Sequence, residues 1–493
     1  MTDRTAVRPV TSARVARRRP RALLLLGAIT IAIAGCTGSG AAATTATTSS
    51  SAVAAASVVA PASGAPGAPG GAPAGAPGGN SGTSGGSTTS SSATGATTIS
   101  GKTDTTSGQT YAGTAADQSA ILVTSSGSLT ATKATITKTG DTTSADESSF
   151  HGLNAGVLVQ GGSSATVSDS SITTRAAGAN GAFATGTGTS LTLSDVTISA
   201  NGGGAHAIMA TQGATVACTG VNMNTTGANS GAIATDRGGG TITVTGGTVT
   251  TSGQDSPGIY STGAITVTDA TISANGAEAA VIEGGNTITL NDTSLSSSLA
   301  SKWGVMIYQS MSGDATGTKG TFTMTVGSLA YTGSGGPLFY VTNSTGIIAL
   351  KGVNVTVASG ILVKASAGNW GTSGSNGGTV VLTADGQTLS GDMTADAISS
   401  ITLTLQNNSS WTGAIDNAKS AKAVSVTFDA TSKWTLTADS YVTTISGAAV
   451  SGTSITNITG NGHTIYHDAT NSASSGLNGG TYALVGGGYL KPA

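Results

Sequence analysis

Acids that could do chemistry are scarce in this chain: 22 Asp and Glu in 493 residues, with charged residues of both signs at 9%. Several of them recur in a single slot. Asp169, Asp195, Asp269 and Asp292 each close an alternating apolar segment, and Gly220, Gly246 and Gly352 stand where those aspartates would. A slot that takes either Asp or Gly is a turn needing a residue tolerant of the left-handed backbone region, so these carboxylates are read as turn formers. What remains as a catalytic constellation is Asp236, Arg237 and Glu283, with Gln212 nearby, each just beyond a short apolar run (Ile233, Val281, Ile208). Stacked on neighbouring turns, two such carboxyls could reach the ~6.5–9.5 Å separation of an inverting glycosidase; a solvated polar ridge would read the same way. Cys218 replaces Val167, Leu193 and Val244 in the repeat, which makes it a core residue. His463 and His467 share a strand face but would lie ~13 Å apart along it, so no metal is expected, and no cofactor. Trp303 and Trp370 fall in longer repeat units and are the candidates for ligand contact, because binding residues concentrate on loops held by a rigid scaffold.

The elements that must position these residues are strands. Leu191-Thr192-Leu193-Ser194-Asp195-Val196-Thr197-Ile198 has counterparts at Val216–Met223, Ile242–Val249, Ile265–Ile272 and Ile288–Leu295. The second apolar position steps through Val167, Leu193, Cys218, Val244, Val267 and Leu290 at intervals of 26, 25, 26, 23 and 23 residues. A second series, Val157, Phe183, Ile208, Ile233, Ile259 and Val281, precedes each copy. Alternation puts apolar side chains on one face and Thr or Ser on the other. A unit of three short strands cannot bury its own apolar face; coiling, with each strand paired in parallel to its equivalent one turn away, can. The expected fold is therefore all-β: a right-handed parallel β-helix of about ten to twelve coils. Longer units place protruding loops at Asp141–His151, around Ser296–Trp303, and at Ala367–Gly378. Outward Thr arrays, such as Thr241, Thr243 and Thr245, raise ice or a crystalline polysaccharide as a ligand, although uneven turn lengths weigh against a flat lattice.

The N-terminus reads as an address. Seven Arg precede or flank an apolar run, ALLLLGAITIAIA (22–34), too short to span a bilayer as a helix. Ile33-Ala34-Gly35-Cys36 closes it and resembles the lipobox of bacterial lipoproteins. That resemblance implies lipid attachment at Cys36 and a membrane anchor. Residues 37–98 hold no charged side chain and consist mainly of Ala, Gly, Ser, Thr and Pro, the composition of a disordered tether. Beyond residue 36, 13 basic residues face 21 acidic ones. This mildly acidic remainder lacks the basic patch that nucleic-acid binding requires.

The expected organisation is thus a signal peptide (1–35), a tether (36–98), a β-helix (99–395) and C-terminal coils with a cap (396–493). In the last part, Ser409-Ser410-Trp411-Thr412-Gly413 and Ser432-Lys433-Trp434-Thr435-Leu436 are similar to each other, and Ser432–Ile445 resembles passenger regions of pertactin-type autotransporter adhesins. The solenoid as a whole resembles the pectate-lyase-like superfamily. It departs from the autotransporter pattern at Tyr489–Ala493, where no membrane barrel follows, so the expected anchor is the lipid. These resemblances imply an exported cell-surface protein with a structural, adhesive or glycan-binding role, contacting extracellular polysaccharide or another cell-surface ligand. The alternatives are a polysaccharide lyase or glycoside hydrolase built on Asp236, Arg237 and Glu283, and an ice-binding protein.

Overall fold

The computed structural model describes residues 92–493; the signal peptide, Cys36 and nearly all of the tether lie outside the described residues. The described chain is a right-handed parallel β-helix of about 16 turns, more than the ten to twelve expected. Twelve strands of one sheet precede residue 396, and the remaining turns lie in 396–493, where further coils and a cap were expected. The first strand, Thr94–Ser100, pairs in parallel with Gln118–Thr124. The solenoid therefore begins inside the segment assigned to the tether, whose boundary at 98 is too late.

Most coils contribute three strands. The first joins a sheet of 12 parallel strands running from Thr94–Ser100 to Asp392–Ala395. The other two form a second sheet, bent at the Asp/Gly slot. The inward rows hold as the repeat requires. Val167, Leu193, Cys218, Val244, Val267 and Leu290 are mutually in register, and Met324 extends the row. None is more than 3% exposed. Burying each Val- or Leu-sized side chain contributes roughly 1.5–3 kcal/mol, so one row repeated along the rod is a large part of its stability. Burial pushes the Cys218 thiol up to about 12, as expected for a core residue and not for a nucleophile.

The second apolar series needs a correction. Ala182, not Phe183, pairs with Val157 and Ile208, and Ala280, not Val281, pairs with Ile259. Phe183 and Val281 lie one residue along and point to the opposite face of the sheet.

Asp169, Asp195, Asp269 and Asp292 have φ of 51°, 52°, 55° and 45°, beside 63°, 69° and 61° at Gly220, Gly246 and Gly352. Val326 occupies the same slot in the next coil, where its neighbours Thr325 and Gly327 pair with Asn291 and Thr293. It is β-branched, exposed, and held at φ 60°, a backbone region such residues rarely adopt. Val326→Asn is expected to raise stability by about 1 kcal/mol, read as a higher melting midpoint. An unchanged or lower midpoint would show that the slot imposes no strain.

Candidate functional site

Over nine of its strands the outer face of the 12-stranded sheet is buried, while Thr98 at one end of the row and Lys364 and Thr394 at the other are exposed. Leu122, Leu158, Phe183, Met209, Ala234, Tyr260, Val281, Met306 and Tyr340 form one outward row in continuous register. Each is 7% exposed or less, and together they form a second apolar cluster with Trp303 and Tyr308.

Segments that leave the coil cover this face. A short helix, α1 (Ala145–His151), is capped at its start by Ser144, whose side chain accepts from the Glu147 amide, and at its end by Gly152 with φ 74°. A Cβ at Gly152 would come within 2.6 Å of the Phe183 ring. The Trp303 indole stacks on Tyr340 with ring centroids 4.3 Å apart, and Trp370 meets Tyr308 at 4.8 Å. The loops expected to protrude therefore lie back on the sheet, because their aromatic side chains find rings there. The insertion expected around Ser296–Trp303 also lies elsewhere. The chain passes from Thr287–Ser297 to Val305–Tyr308 over seven residues, and the extra length falls at 309–318, before the strand Lys319–Tyr331.

That loop completes a cluster holding all three candidate catalytic residues. Glu283 accepts from the hydroxyls of Tyr260, Tyr308 (2.9 Å) and Ser310. Ser312 donates to Asp314 (2.7 Å), and its Oγ lies 2.7 Å from that of Ser310. Arg237 grips Asp314 Oδ1 from Nη2 at 2.8 Å and Nε at 3.2 Å, with its guanidinium 3.8 Å from the centre of the Phe150 ring. Asp236 accepts from the Arg237 amide at 2.7 Å. Burial holds its carboxyl well above the usual range, and the nearby Asp314 and Glu283 carboxylates add to the effect. Gln212 is exposed and pairs with His151 at 3.0 Å.

Asp236, Glu283 and Asp314 are 3%, 0% and 4% exposed. They sit beneath the loop, out of reach of a polymer, so the arrangement fastens the loop and leaves no open cleft for glycosidic chemistry. Asp314 was not foreseen, being 77 positions from Arg237. Among the described residues no three His, Cys, Asp or Glu side chains gather around a metal position. His467 faces inward at 0% exposure, whereas the half-buried His463 lies 3.8 Å from Asp439.

A groove of about 710 Å³ opens beside this cluster. Trp303, Tyr340 and Pro337 line it with Lys302 and Lys364, and Gly368 borders it on the loop 366–377. Lys302 is committed to Asp255 (2.5 Å) and Glu278 (3.7 Å). Burial raises the Glu278 pKa, and the Lys302 ammonium opposes that rise. Lys364 is exposed and pairs with no carboxylate among the described residues. Asn376 donates to the carbonyls of Gly368 (2.8 Å) and Trp370 (2.9 Å), which ties the loop down. Of the two tryptophans singled out in the sequence, Trp303 lines the groove and Trp370 does not.

The described residues define a right-handed parallel β-helix protein whose one decorated face carries a groove. No family model and no curated protein sequence matches the chain. It is similar in structure to a chain of the Vag8–C1 inhibitor complex determined by cryo-EM, with a TM-score of 0.48 and 16% identity over 75% of this chain and 92% of that one.

Proposed function

We propose that the protein is an exported, lipid-anchored surface binding protein whose groove beside Trp303 takes an extracellular saccharide. The observation that supports this most is the groove itself. Its volume is in the range of small-molecule sites, and it combines apolar ring surface with a few polar groups. Lys364 is its unpaired cation, which favours saccharides bearing carboxylates. The lyase or hydrolase reading gains no support, since Asp236, Arg237 and Glu283 are spent on holding the loop.

One experiment tests both halves. Cells carrying the full chain should retain uronate-containing glycans. Lys364→Glu should remain on the cells and weaken that retention by about tenfold. Cys36→Ser should lose its acyl chains and pass into the medium. Equal retention by wild type and Lys364→Glu would remove the groove from the function, and Cys36→Ser remaining membrane-bound would remove the lipid anchor.

A further inference from the structure

The face formed by the second strand of each coil carries the most regular hydroxyl array; the adjoining third-strand face is uncharged too, but Ala112, Asn222, Asn224 and Ala330 break its two rows. Over nine coils, from Thr103–Ser107 to Lys319–Tyr331, three outward rows run in unbroken register. The middle row passes from Thr105 through Thr166, Thr192, Thr243 and Thr289 to Thr323, with Ala217 as its one gap. The flanking rows begin at Thr103 and Ser107 and end at Thr321 and Thr325. Of these 27 positions, 24 carry a hydroxyl, the exceptions being Ala217, Ala264 and Asn291, and none carries a charge or an aromatic ring. With charged residues at only 9% of the chain, their absence here distinguishes little; what sets the plate apart is 24 hydroxyls held in register over nine coils. The plate ends where the pattern ends, at Ile347 and Lys351 and then Val381 and Asp385.

None of the eight hydroxyls in the middle row bonds to a described protein atom. Their hydrogen bonds go outward. Strand spacing sets a repeat of ~4.8 Å along each row, and alternation sets ~6.6 Å between rows, giving a plate of ~38 by ~13 Å. Threonine is stiff at χ1, so methyl and hydroxyl recur at fixed places. Water held on such a grid inherits its two repeats, which are comparable with the oxygen spacings on a prism face of hexagonal ice. The uneven turn lengths that weighed against a lattice do not touch this face. The helix α1 and the loops 309–318 and 366–377 instead cover, or border the groove on, the outer side of the 12-stranded sheet.

We propose that this plate binds ice. A crystalline polysaccharide is less well matched, because sugar-ring faces are held by stacking on aromatic rings and the plate has none.

The test uses the full chain and slowly grown ice. Wild type should be enriched in the ice fraction, and the double variant Thr192→Lys with Thr243→Lys should lose at least about tenfold of that enrichment. Thr226→Lys, exposed but off the plate, should keep it, as should Lys364→Glu, so failure of the groove and failure of the plate are told apart. Circular dichroism melts identify any variant that has merely unfolded; Thr192→Gln with Thr243→Gln, uncharged, then replaces it and should show the same loss. The proposal is overturned if wild type is excluded from ice like serum albumin, if the folded plate variants partition as wild type does, or if the chain binds crystalline cellulose or chitin and not ice.

Discussion

Trp434→Ala is expected to destabilise the C-terminal coils by about 3–5 kcal/mol while leaving the first coils intact. Trp411 and Trp434 occupy equivalent positions on adjacent coils and point inward, with ring centroids 4.8 Å apart and planes 16° from parallel. Each indole also donates to a backbone carbonyl, Trp411 to Gly391 at 2.9 Å and Trp434 to Gly413 at 2.8 Å. A Cβ at Gly413 would lie 2.7 Å from the Trp411 Nε1, so the ladder needs glycine there as well as tryptophan. Truncation removes ring packing on both sides, including the Phe428 contact at 6.3 Å, and orphans a buried carbonyl. Trp434→Phe keeps the packing and should cost only about 1–3 kcal/mol for that carbonyl. Because each coil of a solenoid contacts only its neighbours, hydrogen exchange should accelerate between about residues 390 and 470 and remain slow in the Val167–Leu290 coils. Uniform loss of protection along the chain, or equal damage from Phe and Ala, would contradict a locally held aromatic ladder.

That ladder was partly legible. The two similar segments around Trp411 and Trp434 lie 23 residues apart, and a fixed interval in a solenoid means stacked side chains. The inward rows were legible for the same reason, since alternation and interval agree. The outer apolar row was missed, although a signal existed. Ala182-Phe183-Ala184, Ile208-Met209-Ala210 and Ala280-Val281-Ile282 are unbroken apolar runs, and a strand without alternation is buried on both faces. The same runs explain the misplaced Phe183 and Val281. Three apolar residues in a row give no phase, and a one-residue slip turns a side chain to the other face. The Asp236–Arg237–Glu283 grouping could be anticipated from register alone. Asp314 could not, because its place depends on how the loop 309–318 crosses the face, which packing decides and no periodicity records. Trp303, expected on a protruding loop, instead lines the groove. At 8% exposure, most of its ring is spent on Tyr340.

The buried acids under that loop should make stability depend on pH in an unusual direction. Acidic groups with lowered pKa values, such as Asp117, held by Thr142 and Thr143 against a desolvation cost, lose their stabilising contribution as pH falls. Asp236 does the opposite. In the folded chain it faces Asp314, Glu283, Tyr260 and Arg237, and burial with the two neighbouring carboxylates keeps it protonated where an unfolded chain would ionise it. Its contribution is therefore fully present below the ordinary carboxylate pKa of ~3.9 and is lost as pH rises toward the folded value. Asp236→Asn fixes the neutral form and can still accept from the Arg237 amide. The variant should melt above wild type at about pH 7.5, and the difference should vanish near pH 4. Comparing variant with wild type at each pH cancels the opposing titration of the other acids. Glu283→Ala should act differently: it strands the hydroxyls of Tyr260 and Tyr308, at a cost of ~2–6 kcal/mol, and should free the loop 309–318 to protease. If Asp236→Asn melts with wild type at both pH values, Asp236 is not held neutral beneath the loop. If the loop resists protease in Glu283→Ala, the carboxylate is not what fastens it.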